Sequence, residues 1–168
     1  MKKLISIAII STLPVLAMAS GGHAGGHDTM HKSHDMQGMS HGDHASAAGK
    51  PGDPAKISRT LEVTMGDDMR FNPGLIKVKT GETVRVNVRN TGKLTHEMVI
   101  GTLAELKQHA TMMRAQPAMK HTDPNTVLLG AGQSGSIVWQ FDKQGSVDFA
   151  CLLPGHLEAG MAGKISVH

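Results

Sequence analysis

The fold this sequence predicts is all-β, a sandwich of short strands with one short helical insertion, and three observations predict it. From Ile57 to the C-terminus, short apolar runs recur at regular spacing between turns rich in Gly and Pro. One of them, Thr83-Val84-Arg85-Val86-Asn87-Val88-Arg89, alternates strictly, with valines on one face and polar groups on the other. Only residues 102–116 carry helical spacing instead. With 3 Phe, 1 Trp and no Tyr in the chain, Val, Ile, Leu and Met must fill the core.

Taken in order, residues 58–65 alternate in part, as a strand does, and residues 69–74 read as a turn. Residues 75–79 form a short strand that turns at Thr80-Gly81-Glu82. The valine strand follows, then a turn at Asn90-Thr91-Gly92-Lys93 and a strand over 95–100. Thr102 with Glu105 forms a capping box, Leu103, Leu106 and Ala110 have helical spacing, and Pro117 ends the helix. Met112, Met113, Met119, His109 and His121 make this insertion rich in metal-binding side chains. For Met112 and Met113 the simpler expectation is packing of the helix against the sandwich. Strand signals resume at 126–129, 136–141, 146–150 and 163–167, with turns at 130–135 and 142–145.

The N-terminal part has a different character. Lys2 and Lys3, the apolar run from Leu4 to Leu16 and the small-x-small site Ala17-Met18-Ala19 form a secretory signal over residues 1–19. The apolar run is shorter than the ~20 residues that span a bilayer, so the mature protein is expected to be exported, periplasmic and soluble, with no membrane span. Residues 20–54 lack Val, Ile, Leu and Phe and are expected to remain disordered. This leader carries His23, His27, His31, His34, His41 and His44 with Met30, Met36 and Met39, a composition that reads as metal capture. Lys50-Pro51-Gly52-Asp53-Pro54 punctuates its end, leaving residues 55–168 as one domain. The 17 basic residues barely exceed the 14 acidic ones, two of the lysines belong to the signal, and no basic block suggests nucleic acid.

The chain has a single cysteine, which cannot close an internal disulfide and is a liability in an oxidising compartment unless something occupies it. Cys151 is followed by His156 and then by Met161, each after four intervening residues. Thiolate, imidazole and thioether on one short loop describe a copper site that carries one electron, completed by a second imidazole. His96, at the start of a strand and after a turn, is the candidate. Met98, two residues on and on the same side of that strand, competes with Met161 for the axial position, although Met161 suits the loop better. A nucleophilic Cys–His pair is the alternative for Cys151, but it gives the methionine no role.

Thr95-His96-Glu97-Met98-Val99-Ile100-Gly101, taken with Asp148-Phe149-Ala150-Cys151-Leu152-Leu153-Pro154-Gly155-His156, resembles the cupredoxin family of plastocyanin, azurin, rusticyanin and auracyanin. The spacing to Met161 is similar to the rusticyanin and auracyanin style of loop, and the His/Met-rich leader looks like that of exported CopI-type cupredoxins of bacterial copper tolerance. The resemblance covers about residues 57–168. It implies a Greek-key sandwich, His96, Cys151 and His156 as equatorial copper ligands and Met161 as the axial one. Many members carry Asn or Ser after the first histidine where this chain has Glu97, which leaves the hydrogen bonding around the site open.

The expected function is copper handling and tolerance by a monomer that cycles between Cu(II) and Cu(I) and meets a redox partner protein. A dedicated electron shuttle is the alternative. An oxidase or nitrite reductase is disfavoured, because multicopper enzymes flank the cysteine with histidines and Cys151 is flanked by Ala150 and Leu152.

Overall fold

The computed structural model describes residues 46–115 and 123–168. The expected signal, the nine candidate leader ligands His23, His27, Met30, His31, His34, Met36, Met39, His41 and His44, and also Met119 and His121, lie outside the described residues.

Among the described residues, ten strands and one α-helix follow in chain order: β1 (Lys50–Pro51), β2 (Arg59–Gly66), β3 (Arg70–Asn72), β4 (Leu75–Val78), β5 (Glu82–Asn90), β6 (His96–Gly101), α1 (Leu103–Ala115), β7 (Thr126–Leu129), β8 (Ser134–Phe141), β9 (Gly145–Ala150) and β10 (Ala162–Val167). They form two five-stranded sheets, ordered β1-β8-β5-β2-β3 and β4-β10-β9-β6-β7. The chain passes from one sheet to the other between β3 and β4, β4 and β5, β5 and β6, β7 and β8, and β8 and β9. This crossing makes β2 with β5 and β4 with β10 parallel pairs, while the other pairs are antiparallel. The expected all-β sandwich with one helix is the observed fold.

The alternation in β5 does what its sequence requires. Val84, Val86 and Val88 are buried and pair in register with Trp139, Ile137 and Gly135 of β8. The facing sheet contributes Ile76, Val78, Met98, Ile100, Val147, Phe149, Ile165 and Val167 to the same core. Phe71 and Phe149 meet edge-to-face with centroids 5.0 Å apart, an arrangement that adds about 1 kcal/mol to their burial. Val, Ile, Leu and Met thus fill most of a core that has few aromatic residues.

Two expectations are corrected. Residues 70–72, expected inside a turn, form a strand that pairs with the end of β2, because the chain reverses earlier, over 66–69. The packed unit also begins before the boundary expected at residue 54. Lys50–Pro51 adds to the edge of β8, Ala48 is buried, and Trp139 Nε1 donates to Ala48 O at 2.8 Å. A buried indole N–H needs an acceptor, and this N-terminal segment supplies it.

The helix begins where its capping box placed it. Thr102 N donates to Glu105 Oε2 (2.7 Å) and Glu105 N to Thr102 Oγ1 (3.2 Å). Its buried face is Leu106 and Ala110, packed on Val99, Ala150 and Leu152. Met112 is exposed rather than packed inward, because Leu106 and Ala110 already cover that face. Among the described residues no helix is long and apolar enough to cross a membrane.

Candidate metal centre

Three strand ends meet at one end of the second sheet. β9 runs antiparallel to both β6 and β10, so the end of β9 lies beside the starts of its two neighbours. Cys151 follows β9, His96 opens β6 and Met161 precedes β10. The loop between Cys151 and Met161 closes on itself through backbone hydrogen bonds. Cys151 N donates to Met161 O (3.1 Å), Met161 N to His156 O (3.0 Å), and His156 N to Leu153 O (3.0 Å). Gly160 sits at φ 90°, a left-handed conformation that a side chain disfavours, and a Cβ there would press on the Arg70 guanidinium. Arg70 Nη1 donates to Ala159 O at 2.9 Å and ties the loop to β3. Arg114 Nη1 donates to Glu158 Oε1 at 3.0 Å and ties it to α1.

His96, Cys151 and His156 come together, with one donor atom from each lying within 4.8 Å of the others. Cys151 Sγ is 3.2 Å from His156 Nδ1, which is 3.3 Å from His96 Nδ1. Cys151 and His96 have no solvent exposure, and His156 is half-buried. One soft sulfur and two imidazole nitrogens facing a common point form a donor set that fits copper, and no carboxylate belongs to the cluster to favour a hard cation. Met161 and Met98 are both fully buried in the core beside these residues.

The surroundings set the protonation of these groups. Burial pushes the Cys151 thiol up from an ordinary 9.0 to about 11, and the nearby Glu97 carboxylate adds to the shift. Burial and the neighbouring His96 hold His156 below the usual histidine range. The connection that Glu97 left open is made by its backbone. Glu97 N donates to Cys151 Sγ at 3.3 Å, linking the start of β6 to the cysteine whatever the side chain there.

Asp67 is the residue that sequence reasoning missed. Its Oδ1 lies 3.1 Å from His96 Nε2, the ring nitrogen that faces away from the cluster. Nothing in Gly66-Asp67-Asp68 distinguishes it from an ordinary turn aspartate, since the contact spans 29 positions in sequence.

The family model of copper-binding proteins of the plastocyanin/azurin family matches residues 57–168. Three curated relatives are each described as a copper-resistant cuproprotein CopI. The relative from Rubrivivax gelatinosus is 54% identical over 138 residues, covering 80% of this chain and 84% of its own. The relative from Pseudomonas aeruginosa is 39% identical over 153 residues, covering 74% and 84%. The relative from Vibrio cholerae is 32% identical over 169 residues, covering 99% and 98%. Among solved structures, reduced auracyanin from Roseiflexus castenholzii is 26% identical with a TM-score of 0.56, covering 67% of this chain and 98% of its own. Auracyanin B, at 22% identity and a TM-score of 0.60, covers 71% and 96% and shares the fold.

Proposed function

The chain belongs to the plastocyanin/azurin family of copper-binding proteins, and we propose that it is an exported, periplasmic copper protein that supports copper tolerance through one redox-active site. His96 and His156 would hold copper through Nδ1 and Cys151 through its thiolate, with the Met161 thioether as a weaker fourth donor. Copper bound there supplies one-electron chemistry between Cu(II) and Cu(I). The observation that carries this reading is the convergence of the two Nδ1 atoms and the sulfur on one point at the end of a rigid sandwich.

The chain's own part is to hold these donors and limit their movement. His96 is fixed by a strand buried along its whole length. The loop that carries His156 and Met161 is braced by Arg70 on one side and by Arg114 on the other. A frame of this kind keeps the donors in place when the charge at the centre changes. The leader histidines and methionines collect further copper ahead of the domain. The CopI relatives, named for copper resistance, support the tolerance role. Ala150 and Leu152 beside Cys151, where a multicopper enzyme would place histidines, support a non-enzymatic role.

A second reading, a dedicated electron shuttle, is favoured by the partial exposure of His156, which gives an electron a route to a partner surface. Deleting the leader separates the two readings. Tolerance falls under the first, and electron transfer survives intact under the second.

The test of the site is the visible and EPR spectrum of the mature protein with one equivalent of Cu(II). An intense thiolate-to-copper band, absent in Cys151→Ala, is expected. A weak d–d band alone would assign the copper to the leader and overturn the site.

A further inference from the structure

The carboxylate of Asp67 reaches His96 from outside the ligand cluster, and the chain around it is built to hold it there. Oδ2 accepts from Lys93 N (2.8 Å), and Oδ1 accepts from Leu94 N (3.1 Å) while facing His96 Nε2 (3.1 Å). The turn that supplies these amides is locked by buried Asn90. Its Nδ2 donates to Leu94 O (2.7 Å) and Leu129 O (3.0 Å), and its Oδ1 accepts from Gly92 N (2.9 Å). Any Cβ at Gly92 would collide with Asp67 Oδ1, so the carboxylate occupies space that only glycine leaves open.

An imidazole binds metal through one nitrogen, and the partner of the other nitrogen decides which tautomer is present and how basic the ligand is. His96 is fully buried, and Asp67 is the partner of its Nε2. We propose that Asp67 is a positioning residue of the copper centre, which holds His96 with its proton on Nε2 and Nδ1 free for metal, and whose negative charge favours Cu(II) over Cu(I). This rests on His96 being a copper ligand, as argued above. The residue acts through His96 and does not touch the metal.

The test uses Asp67→Ala, which removes the acceptor and its charge, and Gly92→Ala, which displaces the carboxylate but retains its charge in the chain. Two quantities are read: the His96 tautomer in the copper-free protein by nitrogen-15 NMR, and the reduction potential of the copper-loaded protein. In the parent protein, His96 is expected as the single Nε2–H tautomer. Asp67→Ala is expected to mix the tautomers and to cut the affinity for Cu(II) relative to Cu(I) about tenfold, which raises the potential by about 59 mV. Gly92→Ala is expected to move both readouts in the same direction, and it carries the test if Asp67→Ala fails to fold. An unchanged tautomer or an unchanged potential overturns the proposal. If the parent protein itself shows no thiolate-to-copper band, the ligand assignment fails instead, and the tautomer in the copper-free protein still reports whether Asp67 holds the ring.

Discussion

A thiol shut away from water keeps its proton well beyond the pH at which an exposed one gives it up. Cys151 is raised from 9.0 to about 11, so its sulfur enters the site as a thiol at neutral pH and must lose that proton to bind copper. Copper uptake is therefore expected to release about one proton per Cys151, with affinity rising about tenfold per pH unit from neutral pH up to about 11. Titration calorimetry in buffers of different ionisation enthalpy measures this, and uptake without proton release would contradict it. The same shift affects the stability of the metal-free fold. The unfolded thiol ionises near 9 and the folded one near 11, so the contribution is fully present below pH 9 and is lost as pH rises to 11. It amounts to about 3 kcal/mol. A melting temperature that falls across this window in the parent protein, but less in Cys151→Ala, is the expected result. His156 is shifted down, so it stays neutral and ready to bind at a lower pH than an exposed histidine would. On the proposed ligand set, Met161→Leu removes a weak donor whose loss disfavours Cu(II). Copper should remain bound at a higher potential, and an unchanged potential would assign the axial position to Met98 or to no residue.

Between residues and fold stand the braces that join elements. The ligand loop has no regular structure of its own and is held to β3 by Arg70 and to α1 by Arg114. Arg114 and Glu158 are both exposed, and such ion pairs contribute between nothing and about 1 kcal/mol. The Arg70 hydrogen bond to a loop carbonyl is also exposed and joins the loop to β3 directly. Arg70→Ala is expected to lower the melting temperature only slightly, by the equivalent of about 1 kcal/mol, and to speed amide exchange at residues 156–161. Exchange rates that match the parent protein would show the loop to be held by its internal hydrogen bonds alone. The capping box that starts α1 was readable from Thr102 and Glu105, because its two hydrogen bonds are local. The strand at Arg70–Asn72 was not, because it exists through pairing with Thr64–Gly66 rather than through its own pattern.

For the whole molecule, the sandwich core draws on both sheets and needs no metal to bury its valines and isoleucines. The copper-free domain is expected to melt cooperatively, at a lower temperature than the loaded form, because a ligand that binds only the folded state adds stability by mass action. Loss of a cooperative transition on chelation would contradict this. A chain starting at residue 46 should also be more stable than one starting at residue 55. The shorter chain loses β1 and leaves the buried Trp139 N–H without the Ala48 carbonyl, at a cost of about 1–3 kcal/mol. Equal denaturation midpoints would show the N-terminal segment to be dispensable.

The sequence by itself determined the sandwich, its helix and the loop that carries Cys151 and His156. Alternation, capping and the Cys151–His156–Met161 spacing are all relations between near neighbours in the chain, and they leave a periodic or stereotyped trace. It also pointed to His96, through its place at the start of a strand after a turn. Only the tertiary structure decided that β6 and β9 lie side by side, so that His96 Nδ1 meets Cys151 and His156 across 55 and 60 positions. It decided as well that the backbone of Glu97 supplies the hydrogen bond to the sulfur, that Ala48 serves Trp139 across 91 positions, and that Asp67 stands behind His96. These contacts use ordinary residues, such as a turn aspartate, an alanine carbonyl and a strand amide. Their importance comes from position in space, and the spacing of residues along a chain carries no record of it.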